Sequence, residues 1–366
     1  MAFRVPQTWD NTIVHSTNRT LMHRISGYCN NRVDSNSGNL GCSLKTTLPA
    51  FVWEYISFLF FLDQKEMDNY LCRNKNITLI IIDLFLKYIM KDKLTILKAR
   101  LKEYKSAVIA FSGGVDSTFL ARIAKDVYGD NLLLITATSS TYPFYELEEA
   151  KSLAAILGIK HKIIISEEIE IPGYADNPPD RCYYCKSELF GKIKYITSKE
   201  DIEVIFDGSN ADDLKDFRPG MKAKQEKGVI SPLADSGFTK SDIRHFSAEL
   251  NLPTATKQSY ACLASRFPYG EKITKVKLDR LAMAEFEIRK LGFSQFRIRS
   301  HENLARFEFI PSEMDKAWGL KGKLTEICQR SGFNYVTIDL KGYRTGSMNE
   351  VLSESDKQGY LKSDTK

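Results

Sequence analysis

The chain has 366 residues, of which 43% are hydrophobic and 27% charged, and its formal net charge is +6. This composition excludes an intrinsically disordered protein, and the length predicts about two globular domains. Because lysines and arginines are interspersed with acidic residues, the sequence argues against a dedicated nucleic-acid-binding arm. The seven cysteines are an odd number, which favours a reducing cytoplasm over a secreted disulfide framework.

Residues 1–89 differ in composition from the rest of the chain. Asn- and Ser-rich stretches precede two apolar runs, 51–62 and 77–90, and each run is shorter than the roughly 18 residues that span a bilayer. We therefore predict no membrane partner. From Met90 an amphipathic pattern leads directly into an apolar strand, as at the start of a domain. We interpret Met90 as the true initiator and residues 1–89 as upstream sequence or an accessory extension without a stable fold.

The motif SGGVDS (residues 112–117) lies directly between an apolar strand and a helical pattern. Its two glycines carry no Cβ, so backbone N–H groups can point at an anion beside the positive end of the helix. The motif lacks the lysine of the kinase-type phosphate loop. We predict a cradle for ATP phosphates, with a plain glycine turn as the alternative. The predicted phosphate-binding residues are Ser112, Gly113, Gly114, Val115, Asp116 and Ser117.

Strand and helix patterns alternate after this motif, with strands at 131–137, 162–165 and 203–207 and helices at 146–157 and 188–196. The alternation predicts an α/β fold with a parallel, doubly wound sheet. Ligands of such sheets bind at the carboxyl ends of the strands, so the segments that follow the strands should converge on one crevice. The predicted nucleotide-binding residues of these segments are Ala137, Thr138, Ser139, Asp207 and Asn210.

The segment DGSNADD (residues 207–213) places three carboxylates and an asparagine at one strand end. Hard oxygen ligands are those that Mg²⁺ prefers, and the metal is usually shared with substrate phosphates. We predict that Asp212 contributes to a magnesium site, which Asp116 could join from the loop. A helix cap or a solvated turn would use the same residue types.

Three of the cysteines are candidates for a metal or redox site. Cys182 and Cys185 form a Cys-x-x-Cys pair before a helical pattern, and Cys262 lies in the segment ACLASRFPYG. Three thiolates around an iron–sulfur cube would leave one iron open, whereas structural zinc usually has four protein ligands. A pair that exchanges disulfides is the redox alternative, and ordinary buried thiols are the simplest one.

Together these motifs resemble those of the LarE type of ATP-dependent sulfur transferase, a branch of the PP-loop ATP pyrophosphatases. The resemblance extends from Met90 to about Leu352 and rests on SGGVDS, NPPDRCYYCK, DGSNADD, ACLASRFPYG, FRIRSH and GYRTGSMNEVL in the family's order. It implies ATP- and Mg²⁺-dependent adenylation of a carboxylate of pyridinium-3,5-biscarboxylic acid mononucleotide. Replacement of AMP by sulfur would then give a thiocarboxylate for the nickel-pincer nucleotide of lactate racemase.

The family resemblance implies two sources of sulfur. In one branch, the cysteine that matches Cys262 gives up its own sulfur. In the other, a [4Fe-4S] cluster is held by cysteines that match Cys182, Cys185 and Cys262. The presence of all three implies the cluster-bearing branch, with the sacrificial route as the alternative. The resemblance also implies a homo-oligomer, such as a hexamer.

A substrate with two carboxylates and a phosphate requires a cationic pocket. The period-two pattern of residues 296–300 places Arg297 and Arg299 on one strand face, and a partner strand carries Arg306. Two such strands could clamp a phosphate, with a solvated face of Arg–Glu pairs as the alternative. Arg266 is predicted to meet the substrate carboxylate, and Glu285 to assist. The predicted catalytic residues are Cys262, Asp116 and Arg266.

We predict four segments after the extension: a PP-loop domain (90–256), a connector that carries Cys262 (257–270), a smaller α+β domain (271–352) and a flexible tail (353–366). The α+β domain should contain a helix at 275–291, two strands, a helix at 312–331 and a strand at 335–340. Two other functions stay open. One is another AMP-forming PP-loop enzyme, either a tRNA thiolase or an amidotransferase like NAD or GMP synthetase. The other is a noncatalytic nucleotide and iron–sulfur sensor.

Overall fold

A computed structural model describes residues 92–215, 219–258, 260–344 and 346–353. These residues belong to one compact unit that begins at Asp92. The predicted extension (1–89) and residues 354–366 of the predicted tail lie outside the described residues. No helix within the described ranges is long and apolar enough to cross a membrane.

A four-stranded parallel sheet forms the first half of this unit, in the order β3-β2-β1-β4. Its strands are β1 (Ala107–Ala110), β2 (Leu132–Thr138), β3 (Lys160–Ile165) and β4 (Val204–Phe206). The chain runs outward from β1 through β2 to β3 and then returns to the other side of β1. The strand order therefore reverses at β1, and the carboxyl end of that strand is where such sheets bind ligands.

Helices flank this sheet, which confirms the predicted parallel α/β fold class. They are α1 (residues 92–101), α2 (Val115–Tyr128), α3 (Phe144–Leu157), α4 (Arg181–Lys199), α5 (Gly220–Lys227), α6 (Pro232–Asp235) and α7 (Lys240–Glu249). Phe190 and Ile193 of α4 pack on the apolar side chains of the central strands. On α1, Leu97 and Leu101 are fully buried, and each contributes about 1.5–3 kcal/mol relative to an exposed side chain.

A second, three-stranded sheet has the order β5-β6-β7, with β5 antiparallel and β7 parallel to β6. Its elements are α8 (Lys275–Arg289), β5 (Phe296–His301), β6 (Leu304–Phe309), α9 (Met314–Gly319), α10 (Lys321–Arg330) and β7 (Tyr335–Ile338). Phe307 and Phe309 are fully buried and stack with ring centroids 5.2 Å apart. This is the smaller α+β part that the sequence predicts.

Two predicted helices differ from those in the structure. The single helix expected at 312–331 is two helices that meet at Leu320, because Gly319 and Gly322 weaken the helix there. The helix expected at 188–196 begins earlier, at Arg181. The prediction began where the apolar repeat becomes regular and missed the polar first turns. As a result, the Cys-x-x-Cys pair lies on helix α4 itself and not in front of it.

Candidate functional site

The predicted phosphate loop connects β1 to α2. Gly113 has a φ of +65°, and Gly114 is the N-cap residue of α2. The Ser117 hydroxyl donates to the Gly114 carbonyl oxygen over 3.2 Å, and the Ser112 and Ser117 hydroxyl oxygens are 3.2 Å apart. No side chain in the described ranges caps α2. The first N–H groups of this helix thus form the kind of site that binds an anion.

Close packing on two sides explains two glycines around this loop. A Cβ on Gly113 would lie 3.1 Å from the Cβ of Ala150 on α3. A Cβ on Gly208, in the segment after β4, would lie 2.9 Å from the backbone nitrogen of Ser117. The loop is therefore held between α3 and the segment after β4, and it has little freedom to move.

Asp116 points from the loop toward α7. Its carboxylate forms an ion pair with Lys240 and accepts a hydrogen bond from the Asn210 amide over 3.5 Å. Burial raises the pKa of Asp116 above its ordinary value, although Lys240 opposes the shift. The exposed Asp212 also contacts Lys240, because its carboxylate accepts the backbone N–H over 2.9 Å. The two carboxylates that were predicted to approach Mg²⁺ therefore contact the same residue, Asp116 through the ammonium group of Lys240 and Asp212 through its backbone N–H.

Asp207 lies in a buried polar network. Its carboxylate contacts the ammonium group of Lys224 at 3.0 Å and accepts hydrogen bonds from the Ser231 and Ser209 hydroxyls over 2.6 and 2.7 Å. Burial favours a higher pKa, but Lys224 and these hydroxyls outweigh it and hold the pKa of Asp207 below its ordinary value. The carboxylate is fully engaged by protein groups, so the geometry supports a role in shaping the loop more than direct contact with ATP.

The segment after β2 runs beside the phosphate loop. Ala137, Thr138 and Ser139 are partly buried at the carboxyl end of the strand. Three residues past Ser139, the Tyr142 hydroxyl donates to the carbonyl oxygen of Ser112 over 3.0 Å. The structure thus brings these residues to the same sheet edge as the loop, and their contact with nucleotide stays a prediction.

The three predicted thiols interact with one another. Cys182 is exposed, whereas Cys185 and Cys262 are less accessible. Burial raises the pKa of Cys262, and Cys182 adds to the shift. Burial also raises the pKa of Cys185 well above its ordinary value, with contributions from Glu168 and both other thiols. The Cys185 thiol donates to the Glu168 carboxylate over 3.6 Å. Cys185 and Cys262 also pack against the same apolar core, so the thiols of α4 and of the 262 segment belong to one region of the structure.

The three thiols fit an iron–sulfur cluster in their donor chemistry, because thiolates are its usual ligands; a [4Fe-4S] cube usually has four cysteines, so three would leave one iron without a protein ligand. Among the residues that the structure describes, however, no group of three or more His, Cys, Asp or Glu side chains is already arranged to hold a metal ion. Among the described residues, Asp116 and Asp212 likewise belong to no such group. To bind Mg²⁺, Asp116 would have to give up its ion pair with Lys240, and Asp212 its hydrogen bond with the Lys240 backbone N–H. Carboxylates that share a metal with substrate phosphates fit magnesium chemistry.

Arg266 is fully buried, and protein groups surround its guanidinium. Its Nε and one terminal nitrogen donate to the two Glu285 oxygens over 2.9 and 3.0 Å. The other terminal nitrogen donates to the carbonyl oxygens of Ala261 and Cys262 over 2.7 and 3.2 Å. Arg266 and Glu285 were both predicted to contact the substrate, but in the structure they pair with each other. Their geometry supports positioning of the Cys262 backbone, because no guanidinium nitrogen is left without a partner.

The predicted arginine clamp is largely closed by ion pairs. Arg299 contacts Glu308 at 2.8 Å, and Arg306 contacts the same carboxylate at 3.4 Å and also Asp339. Arg299 thus forms the Arg–Glu pair of the alternative prediction, but it is only 7% exposed, so this pair lies on a buried and not on a solvated face. The clamp predicted from the sequence would leave these arginines available to a phosphate. In the structure they form ion pairs, because the strand register brings acidic side chains within reach.

Arg297 differs from the other two arginines. It lies over the Tyr260 and Tyr343 rings, 5.6 and 5.3 Å from their centroids. Burial and the nearby Arg266 lower the pKa of Arg297 to about 10. Together with Tyr260, Arg289 and Gln295, it lines a pocket. Of the predicted substrate-binding arginines, Arg297 is thus the one that lines this pocket.

Sequence reasoning assigned no role to three residues that organise the site. Tyr142 and Lys240 contact the phosphate loop directly, and Lys257 donates to the carbonyl oxygen of Gly113 over 3.2 Å. Lys257 also pairs with the buried Glu146 at 2.8 Å. These contacts span up to 144 residues of sequence, and no local pattern carries such information.

Comparison with known proteins gives consistent results. The NAD synthase family model matches residues 89–174. An uncharacterized protein of Synechocystis is 43% identical over 267 residues, which are 72% of this chain and all of that protein. The pyridinium-3,5-bisthiocarboxylic acid mononucleotide synthase of Lactiplantibacillus plantarum is 34% identical over 73% of this chain and 97% of its own length. An uncharacterized protein of Methanocaldococcus jannaschii is 32% identical over 71% and 99%.

Proposed function

Because the chain belongs to the LarE family of PP-loop ATP-using enzymes, we propose that it is an ATP-dependent sulfurtransferase of nickel-pincer cofactor biosynthesis. Its substrate is pyridinium-3,5-biscarboxylic acid mononucleotide, and its product carries a thiocarboxylate. The relative in Lactiplantibacillus plantarum is a synthase of the corresponding bisthiocarboxylic acid mononucleotide. The maturation of lactate racemase is the process that this product would serve.

One structural relationship carries the proposal. Two adjacent residues after β2, Thr141 and Tyr142, connect the phosphate loop to the segment that carries Cys262. The Tyr142 hydroxyl donates to the Ser112 carbonyl of the loop over 3.0 Å. The Thr141 carbonyl accepts the backbone N–H of Leu263, next to Cys262, over 2.9 Å. Activation and sulfur transfer can share one cleft only if these two parts are neighbours, and this contact supports that requirement.

The first half of the reaction is adenylation. A carboxylate is a poor electrophile, so its oxygen attacks the α-phosphorus of ATP and pyrophosphate leaves. The N–H groups at the start of α2 and the hydroxyls of Ser112 and Ser117 hold the departing pyrophosphate. Mg²⁺ would be held by Asp116 and Asp212 and would offset the phosphate charge. In that arrangement Asp116 would give up its ion pair with the Lys240 ammonium group, which could then contact the phosphates.

The second half is sulfur transfer. A sulfur nucleophile attacks the carbonyl carbon of the acyl-adenylate, the C–O bond to AMP breaks, and AMP leaves with the electron pair. A [4Fe-4S] cluster held by Cys182, Cys185 and Cys262 would supply a sulfide at the iron without a protein ligand. In the alternative route, the Cys262 sulfur itself attacks, and β-elimination then leaves dehydroalanine in the chain. Arg266 holds the Cys262 carbonyl oxygen over 3.2 Å and so sets its position in either route.

Substrate recognition is assigned to the second sheet. Arg297 lines a pocket with Tyr260 and Arg289, and the two positive charges match the substrate's phosphate and second carboxylate. Arg299, Arg306 and Glu285 support this pocket through their ion pairs. We further propose that the protein acts as a cytoplasmic homo-oligomer without a nucleic-acid or membrane partner.

The proposal is tested by product analysis with purified protein that has been loaded with iron and sulfide without oxygen. ATP and the pyridinium biscarboxylate nucleotide should give equal amounts of AMP and pyrophosphate, and mass spectrometry should show replacement of oxygen by sulfur. In parallel reactions the pyridinium nucleotide is replaced by tRNA, or by ammonia together with a nucleotide whose carboxylate or ring carbonyl oxygen can be adenylated. AMP formation with either of these acceptors and none with the pyridinium nucleotide would refute the proposal. Pyrophosphate release on turnover would also exclude the noncatalytic sensor.

A further inference from the structure

Arg181 is a buried cation with two unused donors. Its side chain is 5% exposed, and within the described residues its Nε and NH1 have no hydrogen-bond partner. Its remaining nitrogen is 4.0 Å from the sulfur of Met348, which is a weak acceptor. A buried guanidinium normally has an acidic partner, because an unpaired buried charge costs several kcal/mol.

Two other buried arginines in the same region provide a direct comparison. Arg266 pairs with Glu285 at 2.9 Å, and Arg299 pairs with Glu308 at 2.8 Å. Burial acts to lower the pKa of Arg181, but the nearby Cys182, Cys262, Tyr269 and Tyr174 outweigh it and raise the pKa above its ordinary value. The Tyr269 ring lies 5.0 Å from the guanidinium carbon. Among the described residues, Arg181 therefore has an aromatic ring beside it and no carboxylate hydrogen-bonded to its Nε or NH1.

The neighbours of Arg181 indicate which anion would satisfy it. Two of the three thiols of the site, Cys182 and Cys262, act on the charge of Arg181. Cys182 is the next residue along the chain and the exposed residue in the first turn of α4, so a small anion can approach from solvent on that side. N–H groups that donate to sulfur stabilise its anionic form and tune metal–sulfur sites.

We propose that Arg181 is the anion-binding element of the three-thiol site, where its Nε and NH1 donate to a sulfur-centred anion. The anion is either a sulfur atom that the site itself holds, as thiolate or metal-bound sulfur, or free hydrosulfide from solution. This inference rests on the proposed function, because it identifies how the sulfur donor is held beside Cys262. Arg181 is a positioning residue in this scheme, since it acts on the sulfur and not on the carboxylate.

The experiment compares the full-length chain with its Arg181→Met and Arg181→Lys variants. In the first arm, sodium sulfide is titrated without oxygen into the metal-free proteins, and binding is followed by calorimetry. In the second arm, the reduction potential of the iron- and sulfide-loaded proteins is measured. Arg122→Met is the matched control, because Arg122 is a more accessible arginine that pairs with Asp126 on α2. Thermal unfolding of the metal-free proteins shows whether each variant folds.

We expect Arg181→Met to unfold at a higher temperature than the wild type in the metal-free state, because it removes an unpaired buried charge. A merely structural arginine would give the opposite shift. A loss of hydrosulfide affinity of about tenfold or more in Arg181→Met, with partial rescue by Arg181→Lys, assigns free hydrosulfide as the ligand. A lower reduction potential in Arg181→Met without a change in hydrosulfide affinity would identify a sulfur atom held by the site as the anion. The potential falls because loss of a nearby positive charge disfavours the reduced state.

The inference is overturned if Arg181→Met matches the wild type in both arms. If the wild-type chain takes up no iron, the hydrosulfide arm decides alone, and an absence of binding there overturns the inference as well. Pyrophosphate release by the wild-type chain with ATP and the pyridinium nucleotide is measured in parallel. Its absence would refute the proposed function, whereas its presence together with unchanged Arg181 variants would refute only the anion site.

Discussion

The backbone N–H of Leu263 donates to the carbonyl oxygen of Thr141 over 2.9 Å. This bond ties the segment that carries Cys262 to the carboxyl end of β2, one residue before the tyrosine that contacts the phosphate loop. The placement of the Cys262 segment beside the phosphate loop thus depends on one main-chain hydrogen bond and on the Tyr142 side chain. The predictions below test the loop, the carboxylate beside it, the thiol group and the buried pair that positions it.

Gly208→Ala is expected to displace the phosphate loop. The added Cβ would lie 2.9 Å from the Ser117 nitrogen and 3.1 Å from its Cα, and backbone atoms cannot move aside cheaply. We expect a loss of about 1–3 kcal/mol in the free energy of unfolding and weaker ATP binding, measured by chemical denaturation and by calorimetry. Gly191→Ala on α4 is the control. A Cβ there meets nothing within 4 Å, so it should stabilise the helix by about 0.5–1 kcal/mol. Equal effects of the two substitutions would contradict this account of the loop.

Asp116→Ala is expected to abolish pyrophosphate release. The substitution removes the carboxylate that pairs with Lys240 and that we assign to Mg²⁺. Iron content should be unchanged, because the thiols do not depend on this side chain. Asp126→Asn is the matched control, since Asp126 lies on the same helix and pairs with Arg122 away from the loop. Normal pyrophosphate release by Asp116→Ala would remove this residue from the proposed mechanism.

Cys182→Ala is expected to lose bound iron and multiple turnover together. Cys182 interacts with both other thiols, and a cube with only two protein ligands is not retained well. Iron and sulfide are quantified after anaerobic loading, together with the absorption spectrum near 400 nm. Cys328→Ala serves as the control, because Cys328 is buried in the core of the second sheet. Iron content equal to that of the wild type in Cys182→Ala would refute the cluster and favour Cys262 as a sacrificial donor.

Glu285→Gln is expected to destabilise the protein by about 3–5 kcal/mol at neutral pH, because it leaves the fully buried Arg266 without a counterion. Chemical denaturation measures the effect. Asp279→Asn is the control, since Asp279 pairs with Lys275 on the exposed face of the same helix and such pairs contribute little.

The same pair predicts a pH dependence. Burial acts to raise the pKa of Glu285, but Arg266 outweighs it and holds the pKa below the ordinary value of 4.5. The unfolded state therefore binds a proton at higher pH than the folded state does. The difference in unfolding free energy between wild type and Glu285→Gln should be full above about pH 4.5 and should shrink as the pH falls further. A difference that grows with acidity would contradict the assignment.

Local sequence patterns predicted the first sheet well. The phosphate loop, the strand that precedes it and the helix that follows need only glycine conformation and hydrophobic periodicity, both of which act over a few residues. The prediction missed the break at Leu320 because it treated residues 312–331 as one helix across the two glycines. The start of α4 was missed because its first turns are polar.

The partners of the charged side chains could not be predicted. Arg299 and Glu308 meet because β5 and β6 pair in one register, and Arg266 meets Glu285 across 19 residues. Both distances depend on packing and not on local pattern. The sequence therefore indicated which residues carry charge at the site but not which charges neutralise one another. Arg181 illustrates this limit, because only the three-dimensional structure shows that its Nε and NH1 have no hydrogen-bond partner among the described residues.

The central claim is that ATP-activated carboxylate and protein-held sulfur meet in one cleft. It is tested most directly by a single turnover in buffer without added sulfide, with protein produced on sulfur-34, whose cysteines and bound sulfide are all heavy. We expect thiocarboxylate that carries sulfur-34 in an amount equal to the AMP released. Release of AMP and pyrophosphate with no sulfur in the product, or with sulfur of natural composition only, would contradict the claim.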